Sequence, residues 1–149
     1  MQYSQAKQGR VFILRLEDGE ILHEVIERFA VEHHIKVASV VALGDAAGGS
    51  RLVVGPEDPE ARPVPPLHHI LSGVHEIAGI GTIFPDEAGN PLLHMHLACG
   101  RQDSTVTGCG REGVIVWEVL EVIITELTGI DARRKFDPAT GFTLLSIRT

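Results

Sequence analysis

The sequence predicts an α+β domain with a mainly antiparallel sheet and one principal helix, and three observations lead there. Apolar residues recur clearly at helical spacing only once, at Ile21, Leu22, Val25, Ile26 and Phe29. About eight other segments are β-branched or alternate with period two. Several of these follow one another at hairpin spacing, which favours antiparallel pairing.

Taken in order, Arg10 to Leu16 sets Val11 and Ile13 against Phe12, Leu14 and Leu16, a strand apolar enough to be buried on both faces. Asp18-Gly19 ends it, and Asp18 is placed to cap the helix whose outer side carries Glu24, Glu27 and Arg28. Val37 to Leu43 is the next strand, so the chain opens β-α-β. Gly44 to Ser50 is glycine-rich but lacks a Gly-Lys-Ser/Thr ending, and it leads into a short strand at Arg51 to Val54.

Five prolines between Gly55 and Pro66 make that segment a surface loop. Strand-like runs follow at His68 to His75 and Ile77 to Phe84, where Gly79-Ile80-Gly81 is a strand feature lacking the rest of a dinucleotide fingerprint. Val114 to Leu127 is the longest β-prone run. Arg133 to Gly141 is a polar turn region whose Arg133-Arg134-Lys135 reads as a solvated connection, and Phe142 to Ile147 is the last strand.

The 149 residues suit a single domain, residues 1–149, with 44% hydrophobic and 22% charged residues. No apolar run approaches the ~20 residues of a membrane helix. The first residues lack the apolar core of a signal peptide, and a reducing, cytoplasmic setting is expected. A net charge of −7 without a clustered basic patch disfavours nucleic acid as a partner.

Leu92 to Gly110 reads as a hairpin with a metal site. Strand alternation points His94 and His96 to one face, and Leu93, Met95, Leu97 and Cys99 to the other. A loop of Arg101 and Gln102 sets Gly100 opposite Asp103, Cys109 opposite His94, and Thr107 opposite His96. Cys99 and Cys109 then point to opposite faces, against a disulfide. His94, His96 and Cys109 converge as an N/N/S set, for which zinc is the first choice. From spacing alone, a polar stripe on a solvated sheet accounts for the same residues about as well.

Other candidates are weaker. His33-His34 suits an exposed helix end, His75 with Glu76 a satisfied polar pair, and His68-His69 remains open between site and surface. Ser72 lacks a nucleophile elbow, and Glu121 is placed nowhere in particular by the sequence. No catalytic residue and no organic cofactor site is assigned.

The β-α-β order, the Leu71-Ser72-Gly73 strand, Pro-Leu-Leu-His-Met-His-Leu, the Thr-Gly-Cys-Gly step and the closing Asp-Pro-Ala-Thr-Gly-Phe together resemble the PPC (plant and prokaryote conserved) domain, from about Arg10 to Ile147. The resemblance implies an α+β antiparallel fold similar to that of acetolactate decarboxylase, a homotrimer, and a histidine-held metal in prokaryotic members. His94 and His96 match that pattern, whereas Cys109 stands where the family usually has a histidine. Plant members carry DNA-binding AT-hooks, and no Arg-Gly-Arg-Pro string occurs here.

Three readings follow. The favoured one is a cytoplasmic homotrimer holding zinc through His94, His96 and Cys109, with a fourth position open to water or a small anionic ligand. The others are a DNA-binding or regulatory interaction module and a zinc-dependent lyase or hydrolase acting on a small oxo-acid.

Overall fold

The computed structural model describes residues 1–147, leaving Arg148 and Thr149 outside the described residues. Strand β1 (Lys7–Glu17), helix α1 (Leu22–Glu32) and strand β2 (Ala38–Ala46) form the expected opening. Then come β3 (Arg51–Pro56), β4 (Pro66–Ile70), β5 (His75–Pro85), β6 (Pro91–Arg101), β7 (Ser104–Cys109), β8 (Val116–Thr128), β9 (Ala132–Asp137) and β10 (Phe142–Ile147). Eight strands pair in the order β1-β8-β2-β5-β6-β7-β3-β4, while β9 and β10 form a separate two-stranded sheet. Every recorded strand pairing is antiparallel.

Period-two alternation sorts the large sheet into two faces. Leu16, Val40, Ile77, Ile83, Leu93, Met95, Leu97, Cys99, Leu120, Val122 and Ile124 turn inward and bury against Leu22, Ile26 and Ala30 of α1. Glycine permits this packing at β5. A Cβ on Gly81 would stand 2.9 Å from the carbonyl oxygen of His94 and 2.8 Å from the Met95 Cβ, so only glycine lets β6 approach so closely.

Helix α1 starts without a side-chain cap. Asp18 is spent elsewhere, its Oδ1 accepting from the Glu118 N–H, where β8 bends through a positive φ of 57°. The expected His68 to His75 run is also interrupted, because β4 ends at Ile70 and the chain turns back through Gly73, at φ 150°, before β5. Nor is β1 buried on both faces: Val11 and Ile13 are exposed, Ile13 at 82%.

Across the β1/β8 pair, Arg10 grips Glu126 with both ends of its guanidinium, Nε and Nη2 each 2.8 Å from a carboxylate oxygen. That hydrogen bonding holds Glu126 below its ordinary carboxylate range. A carboxylate lowered in the folded state stabilises above its unfolded pKa, near 4.5, and loses that contribution as pH falls through the lowered value. Glu126→Gln is therefore expected to melt lower than the parent at pH 7, with the gap closing in strong acid. Paired thermal melts across that range check it.

Candidate metal centre

The β6–β7 hairpin turns through Gln102 and Asp103, with Arg101 opposite Ser104 and Gln102 at φ 53°. This is one residue later than the turn expected from sequence, so the register moves by two. Cys109 faces His96 instead of His94, and Thr107 faces Ala98 instead of His96. A two-residue shift preserves which face each side chain occupies. His94, His96 and Cys109 therefore still share the outer face, opposite α1.

The side-chain donor atoms of those three residues all lie within 4.8 Å of one another. The two imidazoles meet edge to face, with ring centroids 5.1 Å apart. His94 and Cys109 are half-buried and His96 is exposed, which leaves one side of the cluster open. Both cysteines are free thiols, and Cys99 lies in the core as its alternation required.

Electrostatics prepare the donors unequally. Burial, with smaller contributions from Arg134, His96 and Arg111, lowers His94 to about 4, so its ring is neutral near pH 7 and has a lone pair to offer. Burial pushes the Cys109 thiol up, against the Arg111 backbone N–H and the Arg111 and Arg134 charges, which favour thiolate. An adjacent cation such as a bound metal would supply the remaining bias. Two imidazoles, a thiol and one open side fit a zinc-type ion with a vacant coordination position.

The other sequence candidates are not among these three donors. His33 stacks on Phe29 at 4.1 Å beside the helix end, and the buried His75 meets the Gly73 carbonyl at 2.8 Å through Nδ1. Glu121 is exposed on β8, paired with Arg15 and Leu43 across the strands. His68 Nε2 lies 2.6 Å from Glu112 Oε2, and His68 shares a cross-strand row with Val53 and Cys109.

Arg134 is the residue sequence reasoning missed. Its segment is not a solvated turn but strand β9, folded back over the outer face at the end of β5, and Arg134 is only 5% exposed. Alternation between Ala132 and Arg134, both buried, was the available signal, hidden by reading three adjacent charges as surface.

An antiparallel sheet with one covering helix, bearing on its opposite face a His/His/Cys cluster that could hold a metal ion, defines a small α+β domain. This chain belongs to the Plants and Prokaryotes Conserved (PCC) domain family, which it matches over residues 3–128. It superimposes on a metal-containing protein of Archaeoglobus fulgidus with a TM-score of 0.82 and 28% identity, covering 97% of this chain and 98% of that one. A plant- and prokaryote-conserved protein of Pyrococcus horikoshii gives a TM-score of 0.81 at 22% identity, covering 100% and 99%.

A Ralstonia eutropha JMP134 protein, proposed to bind DNA, has the same fold at a TM-score of 0.70 and 22% identity, covering 91% and 90%. The chain is also 30% identical over 142 residues to the bifunctional protein GlmU of Synechococcus sp. (strain JA-3-3Ab). That match takes in 93% of this chain but only 20% of GlmU. No helix among the described residues is long and apolar enough to cross a membrane.

Proposed function

We propose that this PPC-family chain is a single-domain, cytoplasmic metal-binding protein that holds zinc through His94, His96 and Cys109, as a homotrimer, with the fourth position open to a small ligand. The observation that carries the reading is the convergence of three donors of zinc-type chemistry within 4.8 Å. The metal-containing description of the Archaeoglobus relative, at 28% identity, agrees with it. Elemental analysis of untagged protein tests it: near-stoichiometric zinc is expected, and protein without any metal would remove the reading. A bound zinc would offer Lewis acidity or an activated water to the open side.

Assembly is supported by the same face. Ile13, Ile123, Val41 and Ile80 stand in one cross-strand row that continues into His96 and Cys109. These four isoleucine and valine side chains are all exposed in the single chain, Ile80 at 73%. A contiguous apolar row on a sheet face marks a surface that buries against another copy. Ile80→Asp is expected to convert the trimer to monomer in sedimentation velocity, whereas a parent that sediments as a monomer would end the trimer proposal.

The DNA reading, raised by the description of the Ralstonia protein, has the net charge of −7 against it. Retention on DNA at low salt that weakens with added salt would support that reading.

A further inference from the structure

The geometry points to an anion subsite beside the three donors, in which Arg134 of β9, assisted by Arg111, receives the carboxylate of a small ligand whose other end reaches the metal. This deepens the open-site reading above and rests on it. Its starting point is the cost of Arg134. A guanidinium cannot shed its charge in a protein, and burying one without a carboxylate is strongly unfavourable. Yet Arg134 is 5% exposed and has no acidic partner among the described residues.

Its position is defined. Nη2 lies 3.1 Å from Thr82 Oγ1, to which it donates, and the guanidinium carbon sits 5.8 Å from the centre of the Phe84 ring. Thr82 is the direct cross-strand partner of His94 on the outer face, so the cation is held one strand from the first donor. Nε is buried and unpartnered, which leaves Nη1 as the edge free to meet a ligand.

Arg111 belongs to the turn that follows β7. It follows Cys109 by two residues, is exposed, and makes no ion pair among the described residues. The neighbouring carboxylate, Glu112, is taken up by His68, Nε2 to Oε2 2.6 Å, so the buried Arg134 guanidinium is left for a ligand. A buried guanidinium with Nη1 free, one strand from the open metal position, suits a small ligand that carries a carboxylate for the cation and a second donor for the metal. Arg134 lies beyond the residues 3–128 that match the family, so the principal cation of the subsite is supplied by the C-terminal hairpin.

The test uses oxalate as probe on cobalt(II)-loaded protein. The thiolate-to-cobalt absorption reports the metal, and calorimetry measures oxalate affinity. Parent protein should show the cobalt band and bind oxalate saturably, more tightly than inorganic phosphate. Arg134→Met should keep the band yet bind oxalate at least tenfold more weakly; Arg134→Lys and the exposed Arg111→Gln should show smaller losses. Unchanged oxalate affinity in Arg134→Met overturns the subsite. If that variant does not fold, unchanged affinity in both Arg134→Lys and Arg111→Gln overturns it equally. Phosphate binding more tightly than oxalate overturns the carboxylate assignment. A missing cobalt band in the parent instead defeats the metal reading, and the subsite is then decided by calorimetry on metal-free protein, where oxalate binding must still depend on Arg134.

Discussion

Cys109→Ala protein is expected to leave purification without zinc while keeping the parent's fold. The thiol is the only sulfur donor in the cluster, and removing it leaves two imidazoles on an open sheet face. Loss of a direct ligand should weaken binding by more than the ~10–100-fold typical of groups that only orient ligands. The fold has little reason to change. Cys109 is the last residue of β7, half-buried on the outer face, while the core beneath it is formed by Leu97, Leu93 and Met95 on the opposite face. Elemental analysis with a circular dichroism melt separates the two effects. Zinc retained at parental stoichiometry would remove Cys109 from the site, and a collapsed melt would show a structural role instead.

The same hairpin shows what a sequence can and cannot disclose. Which face His94, His96 and Cys109 occupy depends only on parity, so it survived a turn placed one residue early. Which residue opposes which depends on the turn itself, and Gln102 taking a positive φ was not legible in a Gly-Arg-Gln-Asp string where glycine and aspartate attract the turn. The α+β antiparallel architecture was likewise carried by periodicity, and α1 is the one helix of the described structure.

Burial was harder to read than pairing. Val11 and Ile13 looked like core because apolar residues are ordinarily buried, yet they lie on the face that the chain leaves uncovered. Arg134 erred in the opposite direction, since a charge is ordinarily exposed, and its burial depends on β9 folding back over Phe84, a long-range contact without a local signal. Those two departures meet on the outer face. One suggests where another copy packs and the other where an anion is received, beside the three donors whose face the sequence did disclose.

Leu97→Ala is expected to produce the largest loss of stability among substitutions near the site, about 2–5 kcal/mol. Leu97 is fully buried, and it packs between two glycines: a Cβ on Gly79 would fall against Leu97 Cδ2, and one on Gly110 would stand 2.7 Å from Leu97 Cδ1. Glycines have no side chain with which to refill the space, so truncation leaves a cavity that the backbone closes only partly. The cavity lies directly beneath the hairpin, because Leu97 follows His96 and opposes Gly108, the residue before Cys109. Metal binding to the folded state alone should then restore part of the loss, about 2.7 kcal/mol when free zinc is 100 times its dissociation constant. Urea unfolding of Leu97→Ala with and without zinc measures both quantities. An equal midpoint in the two conditions would mean that the hairpin and the metal are not coupled, whereas a midpoint raised by zinc in Leu97→Ala but not in Cys109→Ala would tie the stabilisation to the His94, His96 and Cys109 cluster.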